Sequence, residues 1–221
     1  MGKKNRTVLV AKIEDIFQSI GRFSGYMHFD DSQEAIRAVS AIERRSFWMS
    51  EDKAEKMENI RELIGYVLIV NPKTKKVFVY QRAGKKSDYK ETRLQGKWSC
   101  GIGGHIEMED FDNKGEAQKI FQGTLLEIWG ETDCHTNYFQ PIAIGFISVD
   151  TKRVDQDHFG VVYLQYTTQR KLTIKKEIQQ GRFFSFSEFE KLVKDSKQSP
   201  SVVSVETWSK LCLKPLANIL C

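Results

Sequence analysis

No apolar run in this chain approaches the roughly 20 residues that a membrane helix needs, so no membrane partner is expected. No apolar stretch follows the basic start GKKNR. A secretory leader is therefore not expected, and the short basic run reads as a solvated terminus. The four cysteines, Cys100, Cys134, Cys212 and Cys221, form no CxxC pair. They read as free thiols in a reducing cytoplasm. Cys134-His135 has no second ligand pair at zinc spacing, which argues against a structural zinc there. Charge of one sign is also scarce: 34 basic residues face 29 acidic ones, a net +5. Without basic and aromatic residues interleaved along a groove, nucleic acid is not an expected partner. There is no internal repeat, no low-complexity tract and no strong break in composition, so the 221 residues read as one domain.

What is present is a mixture of strand and helix signals. TVLVAKI (7–13) is a β-branched strand run. Asp31-Ser32-Gln33-Glu34 has capping-box spacing and opens a helix in which Ala35, Ile36, Val39 and Ile42 recur at helical period. SEDKAEKMENI reads as a polar helix or linker. LIGYVLIV (63–70) has the length of a buried strand. After the NPKTKK turn, VFVYQR (77–82) returns, so 63–82 is expected to be a hairpin. A polar loop (83–96), a glycine-broken strand (97–106) and an acidic loop (107–116) follow. Ala117, Ile120, Phe121, Thr124, Leu125 and Ile128 then form a helical stripe ending near Thr132-Asp133. Strands are expected over 138–149 and 159–168, and a short one at GRFFSF. Ser185-Phe186-Ser187-Glu188 is a second capping box. A C-terminal helix over ETWSKLCLKPLANIL is expected to end or kink at Pro215. This order, without strict alternation, predicts an α/β chain with a mixed sheet and helices on its faces.

The chemistry concentrates in two places. Gly101, Gly103 and Gly104 close a strand, and glycine lets backbone approach a ligand closely. The helix that follows carries Glu127 and Glu131 in LLEIWGE. A four-residue spacing puts both carboxylates on one face, where like charges slightly destabilise a helix. Either they are solvated or a cation lies between them. A carbonyl from the glycine turn and these carboxylates would suit a hard ion such as Mg²⁺, which takes oxygen ligands.

The segments GKWSCGIGGHIE and GTLLEIWGETDC resemble a divergent Nudix box, G-x5-E-x7-R-E-U-x-E-E-x-G-U, with U a bulky aliphatic residue. The resemblance extends along nearly the whole chain to a subgroup of MutT-like predicted phosphoesterases, through VLVAKIEDIF, GRFSGY, RRSFWMSEDKAEKMENIRELIGYVLI, DQDHFGVVY, KEIQQGRFFSFSEFEKL and ETWSKL. It implies the Nudix α/β/α sandwich with a mixed sheet. Residues 1–60 would be an N-terminal extension, 61–195 the core and 196–221 the C-terminal helix. The box starts at Gly104, and two registers fit. In one, Gly123 takes the arginine place, Thr124 and Glu127 the first two glutamates, Ile128 the third and Gly130 the late glycine. In the preferred one, Glu127 is the first glutamate, Ile128 a core U, Glu131 the third glutamate and Cys134 the last U. Leu126 then replaces the arginine, Gly130 a glutamate and Asp133 the late glycine, and the acidic loop must be longer than usual.

The resemblance implies a Mg²⁺- or Mn²⁺-dependent hydrolase that cleaves the diphosphate of a nucleoside diphosphate linked to another group. Glu127 and Glu131 would be the catalytic carboxylates and metal ligands, joined by the Gly103 carbonyl and by Glu177 from a later loop. Arg82 would bind a substrate phosphate, since guanidinium matches phosphate oxygens. Without such roles, Glu127 and Glu131 are solvated, Gly103 is a tight turn and Arg82 is an exposed strand-end charge. His105 has no required role in the family, and His158 reads as a residue that packs or hydrogen-bonds near a strand start. The missing arginine and glutamate keep a second reading open: a catalytically impaired Nudix-fold module that binds a nucleotide or a partner. Residues 1–60 would either cap the site or pair two copies in a homodimer.

Overall fold

The computed structural model describes residues 6–83, 94–111, 118–136, 139–149, 156–174 and 178–221. By contact density the chain falls into two compact units. The first comprises 1–66, 103–127 and 143–163, and the second 67–102, 128–142 and 164–221.

The first unit opens with β1 (Thr7–Lys12), whose four central residues are buried. The chain turns at once into α1 (Ile13–Ile20), where 7–13 was expected to run on as strand. Ile16 and Phe17 form the buried side of α1 and Glu14 and Asp15 its first turn, an amphipathic pattern too short to stand out by period. After β2 (Gly25–His28) comes α2 (Ser32–Glu43), capped by Asp31, whose carboxylate accepts from the Glu34 amide at 2.7 Å. The return bond of the expected box comes from the Asp30 amide to Glu34 at 2.9 Å. Ala35 and Ile42 face the core, but Ile36 is 58% exposed, so the buried stripe of α2 is narrower than its apolar residues suggest.

β3 (Phe47–Ser50) pairs antiparallel with β1, and the polar stretch after it forms a single helical turn, α3 (Glu51–Ala54). β4 (Ile60–Asn71) is twelve residues long and buried throughout, longer than the expected 63–70. Its first residues pair with β1, placing Glu62 opposite Val10. Val8, Val10, Ala54 and Ile60 form a core cluster sealed by Phe47, Met49 and Met57. The unit also contains β8 (Ile142–Ser148) from Ala143 onward, which pairs with β2, and the start of β9 (His158–Tyr166). Phe146 stacks edge-on to Phe29 at 4.7 Å and lies 5.0 Å from Phe159.

In the second unit, the end of β4 turns into β5 (Lys76–Arg82), with Val70 opposite Val77, which is the expected hairpin. β5 pairs along most of its length with β10 (Ile178–Ser185), a longer strand than GRFFSF alone. The glycine-broken strand is two short pieces: β6 (Trp98–Ser99) on β5 and β7 (Gly101–Ile102) on β4. α5 (Phe186–Gln198) carries the complete Ser185–Glu188 capping box. The C-terminal helix is broken into α6 (Thr207–Leu211) and α7 (Leu213–Leu220). The break falls at Cys212, not at Pro215. Pro215 sits in the first turn of α7, where backbone N–H groups have no intrahelical partner to lose. Among the described residues no helix is long and apolar enough to cross a membrane.

Candidate functional site

α4 (Lys119–Glu131) carries the helical stripe predicted around Ile120 and Ile128, both fully buried. Ala117 lies outside the described residues. Two of the helix's first-turn amides are met by the Glu43 carboxylate of α2, from Lys119 at 2.9 Å and from Ile120 at 3.4 Å. An anion there also complements the helix dipole. The helix comes down unusually close to the backbone below it. A Cβ on Gly65 would stand 2.0 Å from Thr124 Oγ1, and one on Gly123 would stand 2.8 Å from Ile106. Thr124 turns its hydroxyl to the Ile120 carbonyl at 2.6 Å. Small residues at these contacts are what permit the approach.

The glycine turn lies beneath this helix. A Cβ on Gly103 would stand 1.7 Å from the Gly65 carbonyl oxygen, so backbone packs on backbone there. A Cβ on Gly104 would stand 2.8 Å from Glu127 Oε2. The Glu127 carboxylate therefore occupies the space a side chain at Gly104 would need.

Glu131 is the next carboxylate along α4 and is buried, 8% exposed, whereas Leu126 and Trp129 on the other side of the helix face solvent. Burial first, and then the nearby Glu131 and Glu206 carboxylates, push the Tyr80 phenol well above its usual range against the opposing charge of Arg82. The Tyr80 hydroxyl donates to the Gly101 carbonyl at 2.9 Å. Arg82 is itself buried at the end of β5 and bonds Glu206 through its Nε at 2.5 Å. Glu177 lies outside the described residues.

Sequence reasoning did not foresee a third cluster. Glu62 of β4, His105 just past the glycine turn and His158 at the start of β9 converge. His105 Nε2 lies 2.5 Å from Glu62 Oε2, His158 Nε2 lies 3.3 Å from the same oxygen, and the two Nε2 atoms are 3.2 Å apart. The backbone explains the convergence. The Leu9 amide bonds the Ile106 carbonyl at 2.9 Å and Ile64 bridges His105, so the segment after the turn lies between β1 and β4. The Glu62 amide bonds the Asp157 carbonyl at 2.8 Å, which brings β9 alongside. Burial would push the Glu62 carboxyl up, but hydrogen bonds with His105 and His158 outweigh it and hold the group down at about 2. Around the cluster, Arg6 pairs with Glu51 and, at 2.6 Å, with Glu107. Burial also opposes the charge of Glu51, and the hydrogen bond from Arg6 overrides it, so this carboxyl too lies below its ordinary range.

Neither models of known protein families nor the curated proteins give a match to this chain. Solved structures do. Tm1382, a proposed Nudix hydrolase, aligns with a TM-score of 0.71 at 23% identity, covering 96% of this chain and 99% of Tm1382. A bifunctional NMN adenylyltransferase/ADP ribose pyrophosphatase from Francisella tularensis aligns at 0.48 and 12% identity, covering 72% of this chain and 41% of that one. The NUDIX domain of Shewanella oneidensis NrtR, solved with ADP ribose, aligns at 0.47 and 12% identity, covering 73% and 89%. The match to Tm1382 over nearly all of both chains shows that this chain has the Nudix fold, with its mixed sheet, as its sequence led us to expect.

Proposed function

We propose that the chain is a metal-dependent hydrolase that cleaves the diphosphate of a nucleoside diphosphate linked to another group. The observation that supports this most is the Glu127 carboxylate seated against Gly104, at the end of the glycine turn. A carboxylate beside a backbone turn offers oxygen donors, the ligands that Mg²⁺ and Mn²⁺ prefer. Glu127, the Gly103 carbonyl and Glu131 one turn further along α4 would hold the ion, with Glu177 as a further carboxylate. A bound ion supplies neutralisation of phosphate charge and a more acidic water. Glu127 takes the proton of the attacking water. The water oxygen bonds to one phosphorus of the bridge, the bridging P–O bond breaks, and its electron pair leaves on the departing phosphate. Arg82 is proposed to meet a substrate phosphate in addition to Glu206.

A second reading, a catalytically impaired module that binds a nucleotide or a partner, draws on Leu126. In the preferred register this residue, 37% exposed, takes the place of the family's arginine and cannot orient the glutamates by ion pairing. Hydrolysis assays with Mg²⁺ or Mn²⁺ across nucleoside triphosphates, sugar nucleotides, dinucleoside polyphosphates and oxidised nucleotides separate the two. Turnover that Glu127→Gln and Glu131→Gln both abolish supports the hydrolase. Tight nucleotide binding with no turnover in wild type supports the module and overturns the hydrolase.

A further inference from the structure

We propose that Glu62, His105 and His158 form a binding site for one divalent transition ion of the zinc type, separate from the ion of the proposed hydrolysis. The three donor atoms come from segments 43 and 53 residues apart, yet they face one another. In a tetrahedral site with bonds of about 2.0–2.1 Å, ligand atoms stand roughly 3.3 Å apart. Two of the three separations here, 3.2 and 3.3 Å, already have that value. The third, 2.5 Å, must open by less than an ångström.

Proton counting points the same way. Three contacts join Glu62 Oε2 and the two Nε2 atoms, but the imidazoles can place at most two protons on them. One close contact between electronegative atoms is therefore left without a hydrogen. A cation in the centre satisfies all three at once. Glu62 supplies a second observation. It is 1% exposed, and its other oxygen, Oε1, is buried and has no hydrogen-bond partner among the described residues. A buried carboxylate oxygen in that state is costly, and carboxylate binding to a metal uses such a lone pair. The donor set selects the ion. Imidazole suits Zn²⁺, Co²⁺, Ni²⁺ and Cu²⁺, whereas Mg²⁺ prefers oxygen ligands in octahedral geometry. Three protein ligands leave a fourth position to water. Binding requires both Nε2 atoms as lone pairs, so it displaces any proton they carry. The ion would tie β4, β9 and the residue that follows Gly104 into one point.

The test uses full-length protein stripped with a chelator and then titrated with ZnCl₂, CoCl₂ or MgCl₂. Zn²⁺ is expected to bind one per chain and to raise the melting temperature, and Co²⁺ to give visible d–d absorption, with Mg²⁺ producing neither. Glu62→Gln, His105→Asn and His158→Asn should each weaken Zn²⁺ binding at least tenfold, the lower end of what losing even an outer-shell partner costs. His28→Asn and His135→Asn should bind as wild type does. X-ray absorption of the wild-type Zn²⁺ protein should show two imidazoles and no sulfur, which keeps the test valid if a variant fails to fold. No Zn²⁺ binding, sulfur in the ligand shell, or binding unchanged in all three variants would overturn the site. None of these readouts depends on hydrolysis, so the hydrolase reading stands or falls independently.

Discussion

Glu127 and Gly104 share one space: the carboxylate of the first lies where a side chain on the second would have to go, 2.8 Å from an ideal Cβ. The atom in the way is the flexible end of a glutamate, so it can move. Gly104→Ala is expected to fold, to lose less than about 1 kcal/mol of stability, and to displace Glu127. If Glu127 is the catalytic carboxylate, kcat falls in this variant with little change in melting temperature. Gly103→Ala is different, because its Cβ would stand 1.7 Å from a backbone oxygen that cannot turn aside. It should cost at least the roughly 1–3 kcal/mol of ordinary overpacking, read by urea denaturation.

Gly65 and Thr124 make a double-mutant cycle. Gly65→Ala collides with the Thr124 hydroxyl at 2.0 Å and the Thr124 Cβ at 2.9 Å. It is expected to destabilise by roughly 1–3 kcal/mol. Thr124→Ala removes the nearer obstacle, so the double variant should be less destabilised than the sum of the two singles. Strict additivity would mean that the helix is not held against the strand at this point.

Arg82 and Glu206 are both buried. Removing one partner of a buried pair leaves an uncompensated charge and typically costs about 3–5 kcal/mol. Arg82→Ala should fall in that range, and Arg82→Leu with Glu206→Leu should recover much of it. A variant that keeps its melting temperature but raises KM would instead place the main role of Arg82 on substrate phosphate.

The capping box of α5 gives a prediction with a pH sign. The Ser185 amide donates to Glu188 at 2.7 Å, Arg182 donates to it at 2.9 Å, and the Glu188 amide returns to Ser185 Oγ at 3.3 Å. The backbone hydrogen bond from Ser185 and then the bond from Arg182 hold the Glu188 carboxyl at about 2, below its ordinary 4.5. A lowered carboxylate contributes stability above its unfolded pKa and loses it as pH falls. Wild type should therefore lose more stability between pH 4.5 and 2 than Glu188→Gln does. Ser185→Ala should cost about 1 kcal/mol at neutral pH.

Thiol titration checks burial directly. Cys100, Cys134 and Cys212 are buried and Cys221 is exposed. Burial pushes the Cys134 thiol up to about 11 and Cys212 well above its usual range. Since the thiolate is the reactive form, one thiol per chain should react with a disulfide reagent in the native state and four in denaturant.

Much of this was legible locally. The β4–β5 hairpin follows from two apolar runs around an NPKTKK turn, and α4 from the period of Ile120, Thr124 and Ile128. The Ser185–Glu188 box follows from a three-residue spacing. Each depends on neighbours within one or two turns of chain, where geometry is set by the backbone itself. The close seat of α4 was not legible: that Gly65, Gly103 and Gly123 each face a particular atom depends on how the helix packs on the turn and strand below it. The Glu62–His105–His158 cluster gave no local sign. His105 and His158 are 53 positions apart, and neither stands in a spacing motif. Their meeting depends on a segment that enters between β1 and β4 and on β9 arriving beside Glu62, contacts made by the packed chain and by no stretch of it alone.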